Sequence, residues 1–213
     1  MFTKEEDQKI FSELRAMHPN AGCELNFGSV YELLVAVILS AQCTDKRVNE
    51  VTEKLFRVYN TPEQIAALSV EDLKPYIFSC GFYNNKGNNI IKMSRELVEK
   101  YNGEVPRDFD KLVSLAGVGR KTASVVMCVG FDEPAMPVDT HVNRVSKRIG
   151  LSDGNDVEKV EQDLKDQFSP ETWNALHHSL IFHGRYICHS RKPDCAACSL
   201  RPWCRYYKEE QKG

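Results

Sequence analysis

The sequence lacks any long run of apolar residues. The longest, Leu33 to Leu39, has seven residues, whereas a helix needs about 20 to cross a bilayer. The N-terminal segment also lacks the apolar stretch and the cleavage site of a secretory signal. We therefore expect no membrane span and a cytoplasmic, reducing environment.

Internal repeats, low-complexity tracts and long linkers are absent as well. With 213 residues, 42% of them hydrophobic, the chain can bury a core, which excludes a disordered or collagen-like protein. The net charge of −2 disfavours nucleic acid as a partner, but the charge is uneven. Between Arg185 and Lys208 there are six basic residues and one acid, Asp194. This segment indicates an anion-binding face, with a plain solvated surface as the alternative.

No stretch alternates apolar and polar residues for long enough to require a strand, whereas helix-start patterns are frequent. Three segments have the pattern of a capping box: Ser29–Glu32, Thr61–Gln64 and Ser69–Asp72. Three aspartates precede apolar residues at helical spacing, as N-caps do: Asp108, Asp139 and Asp156. We therefore predict an all-α protein of roughly ten helices.

In a reducing environment eight cysteines indicate thiols or metal ligands and not a disulfide framework. Four of them form the pattern Cys188-x6-Cys195-x2-Cys198-x5-Cys204. Four thiolates at this spacing can hold a tetrahedral zinc ion or an iron-sulfur cube. Zinc sites usually pair two Cys-x2-Cys knuckles and only one is present, so the spacing favours the cluster. The other four are predicted to be core residues: Cys23, Cys43, Cys80 and Cys128.

The segment from Leu115 to Ala123, LAGVGRKTA, predicts a hairpin between two helices. Gly117 and Gly119 permit a tight turn with positive φ, and an apolar helix continues from Thr122 to Val129. Backbone N–H groups at the start of that helix allow a phosphate to approach closely. The alternative is an ordinary corner between two helices.

Two side chains suited to chemistry accompany this hairpin. Lys121 lies in the first turn of the second helix beside Arg120, where positive charge favours the neutral, nucleophilic amine. Its alternative is a solvated surface lysine. Asp139 lies eighteen residues later at a helix start. It is either a carboxylate that acts in the reaction or only an N-cap.

Together these elements resemble the endonuclease III family of DNA glycosylases. Four further segments carry the resemblance: Ser40–Asp45, Gly81–Lys86, Asn102–Pro106 and His183–Tyr186. The resemblance covers residues 24–206 and implies two helical domains that flank a DNA-binding groove. A six-helix barrel with the helix-hairpin-helix would span residues 23–133. Residues 1–22 and 134–213 would form the iron-sulfur cluster domain.

The family resemblance also implies a role for each candidate residue. Lys121 would form a Schiff base with the sugar, assisted by Asp139. The residues that contact DNA would be Gln42, Phe82, Gly117, Gly119, Arg191 and Lys192. The cofactor would be a 4Fe-4S cluster held by Cys188, Cys195, Cys198 and Cys204. Phe82 replaces the usual leucine of the family, and Cys43 replaces a small residue.

The implied function is base-excision repair. The substrate would be double-stranded DNA with an oxidised or ring-damaged pyrimidine or an abasic site, and the enzyme would be a monomer in the cytoplasm, associated with the nucleoid. One alternative is a monofunctional mismatch glycosylase, which would lack a lysine at the position of Lys121. The other is a non-catalytic DNA-binding module whose cluster serves electron transfer or redox sensing, which needs neither Lys121 nor Asp139.

Overall fold

The computed structural model describes residues 2–210, and these contain helices and no strand. The α-helices are α1 (Lys4–Met17), α2 (Val30–Ser40), α3 (Asp45–Phe56), α4 (Pro62–Ala66), α5 (Val70–Ile77), α6 (Tyr83–Tyr101), α7 (Phe109–Val113), α8 (Arg120–Val125), α9 (Thr140–Ile149), α10 (Val157–Gln167), α11 (Pro170–Tyr186) and α12 (Arg205–Glu210). A π-helical segment, Val126–Gly130, follows α8. The predicted all-α class is confirmed. None of these helices is long and apolar enough to span a membrane.

The helices pack into two compact units. One is Glu24–Asp132, which contains α2 to α8 and the π-helical segment. The other combines the described residues on either side of it, 2–23 and 133–210. In this second unit α1 packs against α11, although most of the chain separates them in sequence.

The predicted helix starts follow from local capping. Thr61–Gln64 and Ser69–Asp72 form complete capping boxes. At α2 the box is incomplete: the Ser29 hydroxyl accepts the N–H of Glu32, but the Glu32 carboxylate accepts the N–H of Gly28 at 2.5 Å. All three aspartates predicted as N-caps accept helix N–H groups through their side chains: Asp108, Asp139 and Asp156.

Each unit has its own apolar core. In the unit of residues 24–132, α2 is central: the whole run Leu33–Leu39 is buried, and α2 packs against α3, α6, α8 and the π-helical segment. In the other unit α1, α9, α10 and α11 supply most of the core, including Ile10, Val145, Val160 and Leu180. Burying one such side chain stabilises the fold by about 1.5–3 kcal/mol.

Two details of the sequence prediction are wrong. The apolar helix after the hairpin begins at Arg120 and changes at Val126 to the wider π-helical spacing. There Gly130 lies against α2, where a Cβ would come within 3.0 Å of Val30 Cγ1. Of the four cysteines predicted as core residues, only Cys80 and Cys128 are buried; Cys23 and Cys43 are half-buried.

Candidate functional site

The hairpin between α7 and α8 turns at Gly117, whose φ is +76°. A Cβ at this position would lie 2.7 Å from the Cβ of Asn89, so both the backbone conformation and the space require glycine. The preceding residue, Ala116, donates its N–H to the Glu96 carboxylate of α6 at 2.9 Å. The turn is therefore held firmly against α6.

Gly119 does not have the predicted positive φ. Its φ is −86°, and it is the N-cap of α8 with no side-chain capping bond. A Cβ at Gly119 would meet no atom within 4 Å. This glycine therefore leaves the first turn of α8 uncovered, so that a ligand atom can approach its backbone N–H groups.

Lys121 is the second residue of α8 and is exposed. Its neighbour Arg120 is directed back toward α7, where the guanidinium carbon lies 5.2 Å from the centre of the Phe109 ring. Arg120 thus contacts α7, whereas the amine of Lys121 is exposed beside the hairpin turn.

The structure brings Gln42 and Phe82 close together, although forty residues separate them. Gln42 follows α2, Phe82 precedes α6, and both have left-handed backbone, with φ of 56° and 58°. A Cβ on Gly81 would lie 3.9 Å from the Gln42 carbonyl oxygen, so the two turns are neighbours. Both side chains are exposed, and Phe82 is 65% exposed despite its apolar ring. An exposed aromatic and an exposed amide therefore share one edge of this unit.

Lys86 fixes the turn that carries Gln42. This lysine is only 6% exposed, and its Nζ donates to the carbonyl oxygens of Leu39 at 2.9 Å and Ala41 at 2.6 Å. Burial lowers the pKa of Lys86 below its ordinary value. Sequence reasoning included Lys86 in a family segment but gave it no role, because no local pattern marks a lysine as buried.

Asp139 lies in the other unit, at the N-cap of α9, with a side chain that is 12% exposed. Its Oδ1 accepts the backbone N–H groups of His141 and Val142, both at 2.8 Å. Its Oδ2 lies 3.1 Å from His141 Nδ1. The capping role is thus present, with Oδ1 as the acceptor of both backbone N–H groups and Oδ2 beside the His141 ring.

The four clustered cysteines line one pocket with Ile149, Ile187 and Leu200. The four are Cys188, Cys195, Cys198 and Cys204. Burial raises the pKa of the Cys198 thiol to about 11, so a bound cation is needed to hold it as a thiolate near neutral pH. Within residues 2–210, no three His, Cys, Asp or Glu side chains converge as the ligands of a single metal ion do.

Arg148 of α9 organises the loop that joins the first two of these cysteines. Its guanidinium donates to the carbonyl oxygens of His189 at 2.6 Å and Ser190 at 3.0 Å, and to Cys188 Sγ at 3.4 Å. The next two loop residues, Arg191 and Lys192, are exposed. The loop thus presents two cations from a backbone that Arg148 holds in place, and no motif in the sequence indicated that role.

A histidine pair lies behind Cys198. His183 Nε2 is 3.6 Å from Cys198 Sγ, and His183 Nδ1 is 3.1 Å from His18 Nε2. Burial, with a smaller contribution from His18, lowers the pKa of His183 to about 4. This pair was not predicted, because His18 directly follows α1 and His183 lies in α11, and these positions are distant in sequence.

Comparison with known proteins agrees with this geometry. Residues 35–170 match the model of the HhH-GPD superfamily base excision DNA repair proteins. This match covers more than half of the chain, which therefore belongs to the class of helix-hairpin-helix DNA repair proteins.

The similar proteins narrow this class. Endonuclease III of Haemophilus influenzae is 50% identical over 198 residues, covering 93% of this chain and 94% of the relative. Endonuclease III of Bacillus subtilis is 51% identical over 199 residues, covering 92% and 91%. A trapped covalent intermediate of endonuclease III with DNA superposes with a TM-score of 0.94 at 48% identity, covering 99% of this chain and 100% of that one. The chain belongs to the endonuclease III family.

The family fixes the enzyme class. The chain is a DNA glycosylase and abasic-site lyase of base excision repair that acts on damaged pyrimidines in DNA, as the sequence predicts. The endonuclease III family binds a 4Fe-4S cluster. A thermostable thymine-DNA glycosylase superposes with a TM-score of 0.87 over 96% of this chain, but at 23% identity it shows only a shared fold.

Proposed function

We propose that Lys121 is the nucleophile that excises the damaged pyrimidine and that Asp139 assists it. The observation that carries this proposal is the exposed amine of Lys121 beside the Gly117 turn, at the uncovered first turn of α8. The solved relative at 48% identity is described as a trapped covalent intermediate with DNA. A covalent intermediate requires a nucleophile on the protein, and a lysine amine forms Schiff bases with carbonyl carbons.

The reaction follows from ordinary amine chemistry. The neutral amine of Lys121 attacks C1′ of the damaged nucleotide, the bond from C1′ to the base breaks, and the base leaves with a proton. Opening of the sugar converts the adduct to an imine, which acidifies the C2′ proton. Removal of that proton expels the 3′ phosphate by β-elimination and cuts the strand.

Asp139 acts through the oxygen that does not cap α9. Oδ1 accepts two backbone N–H groups, whereas Oδ2 lies 3.1 Å from Nδ1 of the His141 ring. A carboxylate oxygen can accept the proton that Lys121 must lose and can stabilise positive charge developing at the sugar. Lys121 belongs to the unit of residues 24–132 and Asp139 to the other unit.

The remaining residues bind and open the duplex. Residues 23–133 are the proposed six-helix barrel, in which Gly117 and Gly119 bind a DNA phosphate through the backbone. Gln42 and Phe82 enter the opened duplex and replace the extruded base, because excision requires the nucleotide to leave the stack. Their common edge and their exposure support this role.

Residues 1–22 and 134–213 are the proposed cluster domain. Its four cysteines supply only soft sulfur ligands, in a pocket with apolar walls and beside the cationic Arg148, which suits an anionic 4Fe-4S cluster. Bound there, the cluster would stabilise the fold of the loop that presents Arg191 and Lys192 to DNA phosphates. The working form is a monomer in the cytoplasm that associates with the nucleoid through DNA.

Trapping with borohydride tests the nucleophile. The wild-type protein should form a stable cross-link to DNA that contains a damaged pyrimidine, and Lys121→Gln should form none while it still binds DNA. Arg120→Gln is the matched control, since it removes the adjacent cation and keeps the amine. Trapping of Lys121→Gln at the wild-type level would contradict the Schiff-base assignment. Absence of any trapping by the wild-type protein would overturn the proposal that a lysine amine forms the covalent intermediate.

A further inference from the structure

Cys43 and Cys80 form a pair of thiols outside the proposed cluster site. Cys43 lies in the turn after α2 and Cys80 in the turn before α6. These turns are neighbours, since a Cβ on Gly81 would lie 3.9 Å from the Gln42 carbonyl oxygen, and the two thiols interact electrostatically. Both are free thiols. Thiols in two adjoining turns can become bonded when the turns move toward each other.

The two thiols differ in access to solvent. Cys43 is half-buried, whereas Cys80 is fully buried. The positive charges of Lys86 and Arg47 act on Cys80, although burial outweighs them and raises the pKa of Cys80 to about 11. A small oxidant therefore reaches Cys43 first, and Cys80 is positioned as the thiol that resolves the oxidised product.

The pair lies within the two turns that carry the proposed DNA wedge. Cys43 directly follows Gln42, and Cys80 precedes Phe82 by two residues. Lys86 already connects these turns, since it lies in the first turn of α6 and its Nζ donates to the Ala41 carbonyl oxygen. A bond between the sulfurs would therefore constrain both turns at once.

We propose that Cys43 and Cys80 are a redox site: a hydroperoxide converts them to a disulfide, and this bond slows excision of the damaged base. The effect on excision rests on the proposed DNA contacts of Gln42 and Phe82. The bond itself rests only on the two thiols.

The chemistry balances with one equivalent of peroxide. The Cys43 sulfur attacks the O–O bond, which yields a sulfenic acid and one water. The Cys80 sulfur then attacks the Cys43 sulfur, displaces a second water and completes the disulfide. A dithiol reductant returns two electrons and two protons and restores both thiols.

Formation of the bond has to move the wedge residues. A disulfide holds its sulfurs about 2.05 Å apart, closer than any hydrogen bond between thiols. Gln42 and Phe82 both have left-handed backbone, a conformation with few neighbouring alternatives for residues that have side chains. The approach of the two sulfurs therefore changes the backbone of both turns and reorients the side chains of Gln42 and Phe82.

The experiment treats the cluster-loaded protein with hydrogen peroxide and follows two readouts. Peptide mapping without reduction should find Cys43 joined to Cys80, in a protein two hydrogens lighter. Single-turnover excision should slow by about tenfold or more, the size of effect expected when a positioning group is displaced, and dithiothreitol should restore it. The visible absorption of the cluster should remain unchanged throughout.

Two variants separate this site from other thiols. Cys43→Ser should form no disulfide and keep its excision rate in peroxide. Cys23→Ser, which removes another half-buried cysteine, should respond as the wild type does. If no Cys43–Cys80 peptide forms, or if it forms and the excision rate is unchanged, the proposal is overturned. Failure of the proposed function has a different signature, because the reduced, untreated protein would then show no borohydride trapping.

Discussion

Asp139 has two tasks in this proposal, and its two carboxylate oxygens divide them. Oδ1 caps α9 through two hydrogen bonds of 2.8 Å, and Oδ2 serves the reaction. Asp139→Asn keeps an oxygen for the cap but removes the negative charge. Asp139→Ala removes both the cap and the charge.

The two variants should therefore differ in stability but not in activity. Asparagine caps a helix about as well as aspartate, so Asp139→Asn should change the free energy of unfolding by less than about 0.5 kcal/mol. Asp139→Ala leaves two N–H groups without their acceptor and should cost about 1–2 kcal/mol, which lowers Tm by roughly 2–8 °C for a chain of this size. Excision should fall by about 10²–10⁴-fold in both, the usual effect of a positioned acid-base group.

The measurements are thermal unfolding and single-turnover excision of a damaged pyrimidine. Asp156 offers a matched control, because it caps α10 by accepting the N–H of Lys159 at 2.7 Å. Asp156→Ala should lose a similar stability and keep full activity. An Asp139→Asn protein with nearly full activity would show that Asp139 is only a cap. An Asp139→Asn protein as unstable as Asp139→Ala would refute the division between the two oxygens.

Three further outcomes follow from the structure. Phe82→Ala should slow excision of a damaged base more than cleavage at a preformed abasic site, because the lost stacking is worth about 1–3 kcal/mol and the abasic site needs less unstacking; equal losses would indicate a structural role. Replacing Arg191 and Lys192 together by alanine should reduce the salt dependence of DNA binding by up to roughly two charges, and an unchanged slope would make them plain surface residues. Asp7 is 4% exposed with one oxygen lacking a partner, and burial raises the pKa of its carboxyl. The pKa of this carboxyl is higher in the folded state than in the unfolded state, so the wild type loses stability as pH rises from the unfolded pKa through the folded one. Asp7→Asn should therefore be the more stable protein at pH 7, by about 1 kcal/mol. This difference, measured by urea titration, should fade below pH 4. A difference that does not change with pH would contradict this assignment.

The sequence alone predicted the features that depend on residues close together in the chain. Capping by Thr61, Ser69 and Asp156 involves residues three apart, so the pattern that predicts each helix start also contains its hydrogen-bond partners. The all-α class, the hairpin and the grouping of four cysteines follow from similarly short spacings. The candidates Lys121 and Asp139 were found because they accompany these local motifs.

Tertiary packing decided the features that join distant segments. Lys86 is buried because its Nζ donates to a carbonyl oxygen at the end of α2. Arg148 holds the loop between Cys188 and Cys195 because its guanidinium donates from α9 to the His189 carbonyl oxygen. The positive φ predicted for both hairpin glycines is required only at Gly117, where Asn89 of α6 leaves no room for a Cβ. The pairing of Cys43 with Cys80 depends likewise on two turns that meet only in the folded chain. A hydrogen bond or a steric limit between residues far apart in sequence leaves no periodic signal, because the approach of its two partners is set by the packing of whole helices.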